Sequence, residues 1–459
     1  MRFPIQEFAL LPALLMGGCV LAPEAAKQES ARVSQAGEVY RAPFDKRTLP
    51  ELSAQPTWRD VLRRAFLANG QLEATYFEWA MAGSRIQQAG AYPNSPVSVG
   101  FEYMFSDASM KAWDRTTLSI APDAMENLTL PSKAYQSAKV AWRDAQSAGE
   151  RFRAAKFELQ RQVLNSWIDY ALLAEKVRVQ RENLSLLKLL SDTAEGRVRA
   201  GGSQQDLLRT DVQYQLAENE LHSMEAELPR QRAKLNALLG RAADAPLSPP
   251  DRLPSPRALP SDDGSIIAMG VAGSPQLAEL AYQVQGRGDA LERARMEFLP
   301  DINPAFAITG SIQQVVGAMV TLPTVVPRIN GMIDEARADL RRSEAMARQT
   351  RLDRAAEYVA TLYALRNNER QTALFQDRVL PAAERVLAGA RQTYAAGTGG
   401  YLDLIESQRT LLQARLTVVE TRAAREKALA DLEALAGVDV ETLSIRDATK
   451  PSSQPAGAP

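Results

Sequence analysis

Histidine and cysteine are almost missing from this 459-residue chain, which has one of each, His222 and Cys19. That excludes a His/Cys zinc site within one chain, an internal disulfide and a histidine-based catalytic triad. Carboxylate chemistry remains open, but no spacing of acids points to it, so neither an enzyme activity nor a cofactor is expected. Charge of one sign is also missing: the formal net charge is −1, which gives no global attraction to nucleic acid. Aromatic residues make up only 6%. No apolar run reaches the roughly 18 residues of a membrane-spanning helix.

What is present is alanine and leucine, spaced by arginine, glutamate and glutamine, within a hydrophobic content of 45%. This composition favours long helices. The opening MRFPIQEFALLPALLMGGCV has a positive Arg2, a short apolar run at 8–16 and small residues before Cys19. It reads as a secretory signal over residues 1–18. A lone cysteine directly after such a run resembles a bacterial lipobox, which makes Cys19 the expected lipid attachment point. Residues 19–56 then form an N-terminal linker, and Val20 after the cysteine resembles the pattern sorted to the outer membrane.

The chain is written twice. An offset of 197 residues lays Asp206 on Asp403 and LNALLG (235–240) on LEALAG (432–437). Upstream, YPNSPVSVGF (92–101) resembles LPDINPAFAI (299–308), and LTLPSKAY (128–135) can be laid over TVVPRING (324–331). The repeats are expected at 57–242 and 264–440. They are separated by a proline-dense extended linker, 243–263, and followed by a disordered tail, 441–459.

Each repeat reads as helix, extended hairpin, long helix, glycine break, helix. Apolar spacing predicts helices near 57–91, 132–198 and up to 239, and again near 265–298, 329–395 and 401–436. A helix of roughly 67 residues spans about 100 Å, and needs coiled packing along most of its length. The hairpins are expected at 97–123 and 302–323. Val97, Val99, Phe101, Tyr103 and Phe105 alternate with Ser98, Gly100, Glu102 and Met104, while the second hairpin is shorter and alternates less cleanly. Alternation of this kind marks a membrane-barrel strand or a half-buried soluble one. Two hairpins cannot close a barrel, and an open edge cannot face lipid. Three chains pooling four strands each would give twelve, within the range of known barrels.

The duplicated layout, YPN and LPD ahead of the hairpins, and YAAGTGGYLDLIESQ together resemble the outer-membrane efflux (TolC-like) family over residues 55–440. The resemblance implies a mainly α fold with a small β part. Long antiparallel coiled helices form a periplasmic tunnel, and two hairpins per chain contribute to a trimeric twelve-strand outer-membrane barrel. It implies an outer-membrane tunnel component of a tripartite efflux or type I secretion-like system, conducting substrates passively. The partners are two further copies of the chain, a periplasmic adaptor, an inner-membrane pump and outer-membrane lipid.

The resemblance also places an acidic pore constriction on Asp403 and Glu406, which share a helical face. It places a gate latch on Tyr394 and Asp206, and adaptor-docking turns on Gly201, Gly202, Gly397, Gly399 and Gly400. Gly399 departs from members that carry a latching arginine there. Blander readings stand beside these. Acids in a first turn complement the helix dipole, Tyr394 can simply pack, and His222 fits a solvated face. Met104, Met110 and Met125 suit either soft-metal export or ordinary packing. The competing function is a lipid-anchored periplasmic helical scaffold without a barrel.

Overall fold

The computed structural model describes residues 20–53, 55–91, 97–105, 109–122, 130–250, 252–257, 263–311 and 313–438. Cys19, Met125, the signal segment and the tail 441–459 lie outside them. The chain divides into two compact units, each drawing on both sequence halves: residues 1–41, 74–152 and 276–350, and residues 42–73, 153–275 and 351–459.

The long helices form as the apolar spacing predicts. Helix α4 runs Pro131–Arg199, followed by α5, Gln204–Leu238. In the second half, α8 (Val326–Leu374) continues through a π-helical turn, Phe375–Val379, into α9 (Leu380–Ala395), and α10 is Tyr401–Ala436. The π turn precedes Pro381, which has no N–H and whose ring crowds the carbonyl of Asp377. Widening one turn relieves both faults without ending the helix.

Three expectations need correction. The opening helix of each repeat is broken in two. In the first, α2 (Trp58–Ala68) stops at Asn69, whose side chain accepts the N–H groups of Gln71 and Leu72, both at 3.0 Å, and so caps α3 (Gly70–Gly90). In the second, α6 (Asp263–Gly273) stops at Ser274, and Pro275 opens α7 (Pro275–Arg295) at a position where its missing N–H is harmless. The stretch 19–56 is not a plain linker either, because it holds α1, Ala25–Ala36. The segment 243–263 has no helix or strand among its described residues before Asp263, yet it is packed. Leu247 and Leu253 are buried, and the Tyr170 hydroxyl donates to the Leu247 carbonyl at 2.8 Å.

The first unit has an aromatic core under α1. Trp79 stacks on Phe152 at 5.6 Å, Tyr76 lies edge-on to both, and the indole N–H donates to buried Glu29 at 2.9 Å. Gly37 sits against the Tyr76 ring, where a Cβ would overlap the hydroxyl. The same unit carries one antiparallel sheet of order β1-β2-β3-β4: Val97–Tyr103, Thr116–Pro122, Asp301–Thr309 and Gln313–Thr321. The second hairpin, expected to be the shorter, has nine residues per strand against seven in the first. At the foot of β3, the buried Lys133 ammonium donates to Asp301 and to the Leu299 carbonyl, both at 2.9 Å.

The sheet's register gathers its apolar side chains. Phe101 lies opposite Leu118 and Leu118 opposite Ile308, while Phe306 faces Val316 and Ile302 faces Val320. These residues share one face, and it is uncovered: Phe101 is 69% exposed and Val316 82%. The other face carries Glu102, Thr117, Ser119 and Thr309, with Thr117 and Thr309 hydroxyls 3.0 Å apart. Val315 and Met319 of β4 also lie on that polar side, so β4 alternates least cleanly. Among the described residues β1 and β4 each pair on one side only.

The second unit is helical. One core cluster joins Tyr358, Leu362 and Leu365 to Leu429 and Leu432, and another joins Ile168 and Ala171 to Leu253, Val419 and Ala423. The Arg257 guanidinium donates to Glu433 at 2.9 and 3.0 Å and to Glu426 at 3.3 Å, pinning the inter-repeat segment onto α10.

Candidate functional site

The site lies in the second unit, where α4 turns into α5 and α9 into α10. Each reversal needs a residue free of a Cβ. Gly201 has φ +92° and Gly397 φ +81°, left-handed values that L side chains rarely adopt. Gly202 donates to the Arg197 carbonyl at 2.8 Å, and Gly399 to the Thr393 carbonyl at 3.0 Å, so spare carbonyls at both helix ends are satisfied by the turns themselves. Gly400 caps α10 in extended backbone.

The turns bring together two of the residues expected to meet. The Tyr394 hydroxyl, at the end of α9, donates to Asp206 Oδ2 in the first turn of α5 at 3.4 Å. Tyr394 is 1% exposed and packs with Leu190, Leu387, Leu404 and Ile405. The Arg197 guanidinium lies 4.4 Å from its ring centre, a cation–π contact. Burial pushes the Tyr394 hydroxyl above its ordinary pKa, and the negative charge of Asp206 adds to that.

Three participants were not singled out from the sequence: Arg197, Thr210 and Tyr401. Tyr401 opens α10 and sets its ring edge-on to Tyr394 at 6.2 Å. Its hydroxyl is 3.1 Å from that of Thr210, one turn beyond Asp206 on α5. Burial raises the Tyr401 pKa too. The available signal was a polar residue at the spacing of the buried face: Tyr401, Leu404, Ile405, Gln408 and Leu411 are all buried. Gln408 in turn donates to Asn183 of α4.

Asp403 and Glu406 fall on the opposite face. Both are exposed, in a row with Thr410 and Gln413. Among the described residues neither carboxylate is in an ion pair. Asp403 also sits in the first turn of α10, so the helix-dipole reading keeps its geometric basis. His222 is exposed, 3.8 Å from Glu225. No group of three or more His, Cys, Asp or Glu side chains able to hold a metal occurs among the described residues. No described helix is long and apolar enough to cross a membrane.

An antiparallel sheet with an uncovered apolar face and long helices that reverse at glycine turns are the features of one class: the outer-membrane channel that joins a β-barrel to a helical tunnel. Comparison gives the same answer. Residues 269–438 match the family model described as outer membrane efflux protein. The chain is 24% identical to the cobalt-zinc-cadmium resistance protein CzcC of Cupriavidus metallidurans over 378 residues, which is 80% of this chain and 87% of that one. It is 23% identical to the probable outer membrane lipoprotein SilC of Salmonella typhimurium, over 78% of this chain and 80% of that one. The outer-membrane channel OprN superposes with a TM-score of 0.71 at 15% identity, over 86% of this chain and 94% of that one. The chain is thus similar along most of its length to outer-membrane efflux proteins, and its second half matches the family's model. It is an outer-membrane efflux channel, and the scaffold reading gives way to the conduit.

Proposed function

We propose that three copies of the chain assemble into one conduit. Their sheets close into a twelve-strand barrel, and their helices form a tunnel gated at the glycine reversals. The observation that carries this is the four-stranded sheet, whose in-register apolar face is bare and whose outer strands each have an unused edge. An unpaired edge in hydrocarbon leaves several kcal/mol per backbone group unmet, so lipid requires closure. A second support is α5, where Leu208, Val212 and Leu216 form an exposed stripe at every fourth position, a face suited to a neighbouring copy.

In this reading Tyr394 and Asp206 latch the closed end, and the exposed row of Asp403 and Glu406 lines the opening. The turns at Gly201, Gly202, Gly397, Gly399 and Gly400 meet a periplasmic adaptor, which couples the conduit to an inner-membrane pump. Cys19 carries the lipid, a reading supported by the lipoprotein name of SilC. The cargo class we propose is metal cations. The name of CzcC supports this, as does an unpaired acidic row that would concentrate cations.

The test is reconstitution into planar lipid bilayers. Discrete single-channel steps are expected, sparse in the wild type and frequent once Asp206 is changed to Asn. Protein that binds lipid but never conducts, in either form, would refute the conduit.

A further inference from the structure

We infer that Tyr401 and Thr210 form a second, uncharged closure beside the Tyr394–Asp206 latch, and that Asp206 anchors both through different atoms. The inference rests on the conduit reading above and adds a residue pair to its gate.

Thr210 is wholly buried, and its Oγ1 lies 2.9 Å from the carbonyl oxygen of Asp206 and 3.1 Å from the Tyr401 hydroxyl. A threonine hydroxyl has a single hydrogen, and a carbonyl can only accept. Thr210 is the donor to both, its one proton shared between the Asp206 carbonyl and the Tyr401 hydroxyl. The result is a bridge: Thr210 ties Tyr401 to the backbone of Asp206. Tyr394 reaches the same residue by its carboxylate. Two tyrosines from opposite sides of one glycine reversal thus converge on the first turn of α5. Their edge-on rings couple the two contacts mechanically.

The two contacts differ in chemistry. The Tyr394 contact ends on a carboxylate, and Arg197 lies over its ring, so charge and salt act on it. The Tyr401 contact joins two neutral, buried hydroxyls. Salt does not screen it, and breaking it strands both groups away from water. Releasing the charged latch alone therefore leaves the end partly held, and full opening requires both.

The experiment compares wild type, Tyr401→Phe, Thr210→Val, Thr210→Ser, Asp206→Asn and the Asp206→Asn/Tyr401→Phe double variant in planar bilayers. Asp206→Asn keeps the backbone carbonyl and so leaves the second closure intact. Losing one neutral buried hydrogen bond is expected to raise open probability about fivefold per protomer. Tyr401→Phe and Thr210→Val should show that rise equally at about 0.1 M and about 1 M salt, since a neutral pair has no ionic screening to lose. Thr210→Ser should restore closure, and the double variant should exceed either single one. Thermal melts of the purified assemblies should match the wild type within a few degrees, separating gating from folding. If Tyr401→Phe and Thr210→Val both stay as closed as wild type while Asp206→Asn opens, the second closure is refuted and the conduit stands. If no protein in the series conducts, the conduit reading falls and takes this inference with it.

Discussion

Helices α5 and α10 are two copies of one stretch of sequence, and they fold to almost the same length, 35 and 36 residues. Each follows a glycine reversal, and each ends at a left-handed glycine, Gly240 at φ +59° and Gly437 at φ +61°. Their surroundings are not copies. Among the described residues α10 buries eighteen side chains, including Leu429 and Leu432, and Arg257 pins the inter-repeat segment over it. Only five are buried on α5: Thr210, Ala217, Leu221, Leu235 and Asn236. Duplication therefore kept helix length, caps and turns, which are local, while packing diverged. The helix left bare within one chain is the one with an apolar stripe to spare.

The largest expected effect comes from testing the two faces with the same truncation. Leu429→Ala in α10 should lower unfolding stability by about 2–5 kcal/mol, the range for emptying a well-packed leucine site. Leu216→Ala in α5 removes a side chain that is 59% exposed. It should change single-chain stability by under about 0.5 kcal/mol and instead weaken the assembly on dilution. Chemical denaturation beside size-exclusion chromatography checks both. Equal losses of stability at the two sites would erase the contrast.

Alkaline pH should act on the α10 side. Burial raises the Tyr358 hydroxyl to about 12, and it raises Tyr394 and Tyr401 as well. A tyrosine whose folded pKa lies above its unfolded value of about 10 stabilises the fold fully below that pH and loses the contribution as pH climbs through the folded value. Melting temperature should hold to about pH 10 and fall between about 10 and 12. Tyr358→Phe should flatten part of that fall. An unchanged slope would remove Tyr358 from the account.

The contrast in packing between α5 and α10 was not legible in the sequence, but much of the element layout was, and the remainder has identifiable causes. Apolar spacing is a local signal, so α4 and α10 fell within a residue or two of their expected ends, and the hairpins were found from alternation. The Asn69 cap and the Ser274–Pro275 start were also written locally, but apolar spacing that runs on through both breaks concealed them. The Arg257 pairs with Glu426 and Glu433 span about 170 residues of chain, and no periodicity encodes them. The resemblance put Tyr394 beside Asp206, and the structure joins them. Tyr401 and Thr210 were missed because a hydroxyl pair has no spacing rule and becomes visible only when two helices are placed together.

A small expected effect on stability also belongs to the acids on the exposed face of α10. Asp403→Asn with Glu406→Gln should weaken block by multivalent cations and lower cation preference in single-channel recordings at two salt concentrations. Stability should change by no more than about 1 kcal/mol, the scale of a helix-dipole interaction. Unaltered selectivity with a small loss of stability would assign both acids to the helix start and remove them from the pore.

The central claim is that the bare faces, the sheet in one unit and the α5 stripe in the other, are completed by further copies of the same chain. Multi-angle light scattering of the detergent-solubilised protein, corrected for bound detergent, tests it directly. A protein mass of three chains is expected, holding on dilution and falling toward one chain when Leu208, Val212 and Leu216 are changed together to Ser. A wild-type particle with the mass of a single chain, or a triple variant that remains trimeric under the same dilution, would contradict it.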